Sequence, residues 1–131
     1  MGLDKVITLL LITCSLFLFG FDSLNKEEIT LGIIQSGVAV IDYQQTKVIA
    51  RNPDKYWETN PILGKHPSES KVTQVFLLSG IGYVLVTYML PREIEVFSIK
   101  LHPRMYWQLL FLGAESQAVF HNMRTGIRIK F

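Results

Sequence analysis

The feature that most constrains this fold is the segregation of charge along the chain. Four apolar windows, at 6–21, 29–46, 72–90 and 105–123, cover 72 of the 131 residues and hold two of the 24 charged residues, Asp42 and Glu115. An even distribution would place about 13 charges there. Disordered chains do not separate charge in this way, and a net charge of +2 gives little attraction for nucleic acid. The pattern predicts a membrane protein.

The first window precedes Asp22 and is short for a membrane span. At about 1.5 Å per residue it forms a helix of roughly 24 Å, against a hydrocarbon core about 30 Å thick. Residues 1–24 are expected to be an uncleaved signal-anchor or a signal peptide. We favour the anchor, because Leu18 makes a cleavage site after Gly20 a poor one. The single cysteine, Cys14, excludes an intrachain disulfide.

Residues 25–131 are predicted to form one all-α domain, a small membrane bundle that brings the chain to three or four transmembrane helices. The expected spans are 29–47, 72–90 and 105–123, with a polar loop over 48–71. The span at 29–47 is the weakest, since Gln35 and Asp42 lower its hydropathy, and a helix lying on the membrane is its alternative. Pairs of small residues predict close helix packing. These pairs are Gly32/Ser36, Gly80/Gly82 and Ala114/Ala118.

The distribution of lysine and arginine predicts the orientation. If four spans place both termini in the cytoplasm, nine basic residues lie inside and four outside. The positive-inside rule therefore favours a cytoplasmic C-terminus, and a bacterial inner membrane is the expected location. The expected partners are the lipid bilayer and other membrane proteins or a second copy of the chain, without nucleic acid.

Ionisable residues inside spans are costly and are candidates for function. Asp42 shares a helix face with Gln45 and Thr46, three and four residues later. Its alternative is a position among the headgroups, where it is hydrated or paired with Lys47 or Arg51.

Glu115 is the stronger candidate because it falls near the middle of its span. A carboxylate there must be protonated, paired or directed into a wet cavity. Asn122 returns to the same face seven residues later, and His121 is beside it. An interhelical hydrogen bond that only fixes packing is an equal alternative.

The polar loop contributes Glu58 and Asn60 to the same cytoplasmic face as Asp42 and His121. Carboxylates, imidazole and amides together could bind a metal or position a water molecule. The sequence contains no established catalytic or metal-binding motif, so the metal and any cofactor stay open. The alternative is a structured turn in which Asn60 bonds its own backbone ahead of Pro61.

Two short motifs carry a family resemblance. The D-x-x-Q-T motif at Asp42, the E-x-N-P-x-L-G motif at Glu58 and the helix with Glu115, His121 and Asn122 resemble small uncharacterised bacterial and phage-type multi-span membrane proteins of the domain-of-unknown-function type. The likeness covers about 41–126. It implies a compact inner-membrane protein whose polar motifs belong together, and it implies no activity.

The leading functional expectation is a non-enzymatic packing or interaction subunit. The second is an intramembrane hydrolase, with or without a metal, in which Asp42, Glu58 and His121 are ligands or bases and Glu115 orients a group or donates a proton. The third is a proton-relay or transport component that uses Glu115, and the fourth is a phage-type lysis protein. Whether the chain is an enzyme stays open.

Overall fold

A computed structural model describes residues 24–129, so the expected anchor over 1–24 lies almost wholly outside the described residues. The described part is mostly helical, with a short hairpin between the second and third helices. Its elements are α1 (Lys26–Arg51), α2 (Glu69–Met89), β1 (Ile94–Val96), β2 (Ile99–Leu101) and α3 (Pro103–Arg124). Helices at the three expected positions are confirmed, and the all-α prediction fits.

Local signals set the helix ends. Asn25 and Glu28 form a capping box, in which the Asn25 side chain accepts from Glu28 N–H and the Glu28 carboxylate accepts from Asn25 N–H. Ser68 caps α2 by accepting a hydrogen bond from Lys71 N–H. Pro103 opens α3, where its missing N–H costs no helical hydrogen bond.

The three helices run up, down and up, so α1 and α3 are parallel. The hydrogen bonds from Gln108 to the Glu28 carbonyl and from Asn122 to Asp42 both join residues 80 apart in sequence, which fixes this parallel register. Residues 52–68 and the segment after α3 therefore lie at one end of the bundle. The hairpin lies at the other end.

Among the described residues, polar and apolar side chains are buried in similar numbers, while many large apolar side chains are exposed. The apolar core is small and centres on Tyr43, Leu63 and Val72. Within residues 24–129, ten polar or charged residues are buried: Glu28, Gln35, Asp42, Gln45, Thr46, Lys47, Thr87, Arg104, Gln108 and Asn122. The exposed helix residues include Ile33, Ile34, Ile41, Leu78, Leu85, Leu110 and Phe120. A soluble domain distributes these residue types in the opposite way.

One helix among the described residues, α2, is long and apolar enough to cross a membrane. The helices that contain the expected spans 29–47 and 105–123 do not reach that level of hydropathy. The reason is the row of amides and carboxyls that each of them carries on its buried face.

The segment between α2 and α3 is an antiparallel hairpin. Val96 pairs with Ile99, and the two residues between them, Phe97 and Ser98, have positive φ. Positive φ at both central residues is the geometry of a type I′ turn. At the base of the hairpin the Lys100 ammonium lies 3.0 Å from the carboxylate of Glu93 and holds its pKa below the usual range.

Ion pairs join the end of α1 to the start of α2. Glu69 accepts from Lys47 at 2.6 Å and from Arg51 at 2.9 Å. Both cations had been considered as partners for Asp42. Among the described ion pairs both contact Glu69 instead, and the described hydrogen-bond partner of Asp42 is Asn122 on α3.

Candidate functional site

Two matching rows of polar residues line the contact between α1 and α3. On each helix the polar residue recurs every seven positions, a spacing that keeps one face of a helix against its neighbour. The rows are Glu28, Gln35 and Asp42 on α1, and Gln108, Glu115 and Asn122 on α3. We call these six residues the polar seam. From its first to its last position on α1 it covers about 21 Å at 1.5 Å per residue.

At one end of the seam the carboxyl groups of Asp42 on α1 and Glu115 on α3 are close enough to interact directly. Asp42 is only 9% exposed, and its Oδ1 also accepts from Asn122 Nδ2 at 3.2 Å. Two ionised carboxylates in contact away from water repel strongly, so a pair of this kind shares one proton.

The carboxyl group of Glu115 has an oxygen without a hydrogen-bond donor among the described residues. Its Oε2 is buried, and no N–H or O–H group of the described residues donates to it. A proton held between Asp42 and Glu115 satisfies the two carboxyl groups together, which removes the cost of an unsatisfied buried oxygen.

A cavity of about 600 Å³ lies beside Asp42. Six of the eight predicted site residues line it: Asp42, Thr46, Glu58, Asn60, His121 and Asn122. Phe76, Ala114 and Ala118 supply apolar wall, so the pair Ala114/Ala118 borders this cavity. The cavity brings the two sequence motifs and the end of α3 to one place.

Two predicted site residues do not line the cavity. Glu115 interacts with Asp42 but is absent from the cavity wall. Gln45 is 2% exposed, and its Oε1 has no partner among the described groups. Within residues 24–129 no group of three or more histidine, cysteine, aspartate or glutamate side chains is arranged to hold a metal ion.

The E-x-N-P-x-L-G motif forms a tight turn at the cavity mouth. Glu58 Oε1 accepts from the N–H groups of Thr59 and Asn60, both at 2.8 Å, and Asn60 Oδ1 accepts from Ile62 N–H at 3.0 Å. Leu63 is buried in the apolar core. Gly64 has a φ of +78°, a conformation that favours glycine. Most of the motif therefore has a structural role.

Glu58 uses only Oε1 in the hydrogen bonds of the turn, which leaves Oε2 for the site. Its Oε2 is buried without a partner among the described residues, and its charge acts on Asp42. The cavity wall thus includes two acidic groups, one from α1 and one from the turn. A small cationic group or a hydronium ion is the ligand class that suits such walls.

At the far end of the seam, two arginine side chains lie beside the carboxylate of Glu28. Glu28 Oε2 lies 3.6 Å from Arg104 Nη1 and 3.8 Å from Arg92 Nε. Arg104 also donates to the Leu90 carbonyl at 2.9 Å. The two cations balance the charge of the buried Glu28 carboxylate.

Four members of this arrangement were missed in the sequence: Glu28, Gln35, Gln108 and Arg104. The signal for the first three is the seven-residue spacing, which connects Glu28 and Gln35 to Asp42 and connects Gln108 to Glu115; Arg104 lies outside this spacing. Gln35 had been considered only for its effect on hydropathy.

Comparison of the chain with protein-family models, curated proteins and solved structures finds no significant match. The resemblance to small multi-span membrane proteins stays a prediction, so the site is interpreted from its own geometry.

Proposed function

We propose that this chain is a small integral membrane protein that binds and passes protons at the Asp42–Glu115 pair, as a proton-relay component. The observation that carries the proposal is a buried carboxyl pair that touches a cavity on one side and continues into the polar seam on the other. Buried ionisable residues in a membrane bundle belong typically to such relays.

The exposure of large apolar side chains, together with the burial of amide and charged side chains, supports insertion of all three helices into a membrane. Side chains such as Ile34, Leu85 and Phe120 are exposed, whereas Gln35, Gln108 and Asn122 are buried. In a bilayer the exposed apolar side chains meet lipid, and the polar ones are satisfied inside the bundle. The proposed orientation has the cavity and the C-terminus in the cytoplasm of a bacterial cell.

Unpaired acceptors along the seam support a hydrogen-bonded path. Besides Glu115 Oε2, the side-chain oxygens of Gln35 and Gln108 are buried and receive no hydrogen bond from the described residues. Water molecules are the ordinary donors to such groups. A file of water between the Asp42–Glu115 pair and Glu28 would let a proton move over the length of the seam.

The hydrolase alternative receives less support from the same geometry. Asp42 lines the cavity and Glu115 does not, so only one carboxyl group of the pair faces a substrate there. A metal-assisted reaction would in addition need a ligand set that residues 24–129 do not provide.

A proton-flux measurement tests the proposal. The full chain is reconstituted in liposomes that hold a pH-sensitive dye, and a potassium diffusion potential drives protons inward. Wild type should acidify the interior faster than empty liposomes, whereas Glu115→Gln and Asp42→Asn should match empty liposomes. Gln117→Ala, an exposed position on the cavity wall, is the matched control and should keep wild-type flux. Equal flux in wild type and Glu115→Gln would contradict a relay.

An interaction subunit is the second candidate, and the outward-facing glycines favour it. A side chain added at Gly37, Gly80, Gly82 or Gly113 would meet nothing within 4 Å in the described structure. Gly80→Leu should therefore leave the bundle folded and, if a partner helix packs there, abolish crosslinking between copies in liposomes. Unchanged crosslinking in Gly80→Leu excludes Gly80 from such a contact.

A further inference from the structure

A second cavity at the same end of the bundle has the opposite charge from the acidic one. It has a volume of about 560 Å³ and lies between the end of α1 and the segment that follows α3. Its wall is formed by Val48, Arg51, Asn52, Lys55, Tyr56, Gly126 and Arg128. We call it the basic groove. Because α1 and α3 are parallel, their C-terminal ends meet here and bring the three cations together.

The charges of the groove are only partly balanced. Arg51 pairs with Glu69, and among the described ion pairs none includes Lys55 or Arg128. The C-terminal ends of α1 and α3 attract cations to the groove through their helix dipoles. Each dipole is equivalent to only about half a negative charge. Lys55 and Arg128, which belong to none of the described ion pairs, leave an excess of positive charge on the wall, and this suits a phosphate group.

An apolar stripe leads from the groove along the outside of α1. Ile34, Ile41 and Val48 recur every seven residues, and Val48 itself lines the groove. Ile34 and Ile41 are both exposed. The stripe is about 21 Å long at 1.5 Å per residue, a length that an acyl chain can follow.

We propose that the basic groove binds the phosphate of an anionic phospholipid, whose acyl chain lies along Ile34, Ile41 and Val48. The inference rests on the membrane insertion proposed above, and it does not depend on proton transfer. Lys55 and Arg128 hold the phosphate, and the polar wall contributed by Asn52 faces the headgroup. A cationic site at the cytoplasmic end of a bundle is the usual position for such recognition.

Thermal unfolding of the full chain in a non-ionic detergent measures this binding. The probes are phosphatidylglycerol, zwitterionic phosphatidylcholine and inorganic phosphate, each titrated separately, because a ligand of the folded state raises the midpoint. Phosphatidylglycerol should stabilise at a concentration about tenfold lower than phosphatidylcholine. Equal stabilisation by inorganic phosphate would overturn the lipid assignment, since the stripe would then contribute nothing.

Two double variants with the same change in net charge locate the site. Lys55→Gln with Arg128→Gln should weaken phosphatidylglycerol binding about tenfold or more. Lys65→Gln with Arg124→Gln removes two exposed cations that do not line the groove, and it should bind as wild type does. Equal loss in both variants would show a general charge effect and overturn the inference.

The unfolding midpoint without lipid shows whether each variant is folded. If a groove variant is destabilised, Lys55→Arg with Arg128→Lys keeps both charges, and this version should retain at least half of the wild-type stabilisation. Failure of the full chain to insert into liposomes would contradict the membrane proposal. Insertion together with equal binding of the two lipids would contradict the inference alone.

Discussion

Asp42 is the residue on which the site depends, because it receives Asn122 on one side and Glu115 on the other. The amide of Asn122 donates to Oδ1. The carboxyl of Glu115 is the neighbour with which Asp42 is proposed to share a proton. Asp42 therefore has two neighbours on α3, a neutral amide and a second carboxyl group. Such a buried network is sensitive to the loss of any member.

Asn122→Ala should destabilise the bundle by about 1–3 kcal/mol, because it removes a donor from a buried carboxyl group. Unfolding by denaturant in detergent micelles measures the change. Gln117→Ala removes an amide of the same chemistry from an exposed position on the same helix, and it should change stability little. Equal effects of the two substitutions would contradict a specific bond between Asn122 and Asp42.

Arg104→Met should destabilise the bundle by about 3 kcal/mol, because it leaves the Glu28 carboxylate buried with a weaker neighbour at Arg92. The same unfolding measurement applies. Lys100→Met breaks the exposed pair with Glu93 and should have no measurable effect. A stability of Arg104→Met equal to that of Lys100→Met would show that Glu28 does not need Arg104.

Among the elements, the hairpin is held in a backbone conformation that its turn residues disfavour. Phe97 and Ser98 have φ of 49° and 63°, and Phe97 is 95% exposed. A left-handed conformation costs a residue with a side chain roughly 1–2 kcal/mol.

Phe97→Asn with Ser98→Gly should stabilise the hairpin by about 1 kcal/mol, since Asn-Gly is the preferred pair for a type I′ turn. Hydrogen exchange of the amides of β1 and β2 should slow accordingly. Ser98→Ala keeps a side chain at positive φ and serves as the control, with exchange as in wild type. Faster exchange in the Asn-Gly variant would contradict the turn geometry.

The helices could be predicted from the sequence because each one contains a long apolar window without proline. The hairpin was not, because its strands have three residues each and its turn lacks the glycine or asparagine that marks such turns.

The site was predicted in part. Asp42, Glu58, Asn60 and His121 could be placed at one face from the helix ends alone, and the structure brings them to one cavity. The proximity of Asp42 and Glu115 could not be predicted, because it depends on the register of α1 against α3. The sequence pattern of either helix alone does not determine that register.

For the whole molecule, the exposed apolar surface and the charge bias together predict which end faces which compartment. Residues 52–68 and the basic groove lie at one end, and the hairpin lies at the other. Variants with a single cysteine at either end test this arrangement in the background Cys14→Ser.

Ser98→Cys should react with a membrane-impermeant maleimide in intact spheroplasts, because the hairpin is expected outside. Lys65→Cys should react only after the membrane is opened. Both residues are exposed, so access and not burial decides the result. Labelling of both cysteines in intact spheroplasts would contradict the proposed topology.

The proton shared by Asp42 and Glu115 is the central claim for the molecule, and infrared spectroscopy of the reconstituted protein measures it directly. At neutral pH the wild type should show the C=O stretching band of a protonated carboxyl group, and the band should shift in heavy water. The double variant Asp42→Asn with Glu115→Gln should lose that band. Absence of the band in wild type at neutral pH, or its persistence in the double variant, would contradict the shared proton.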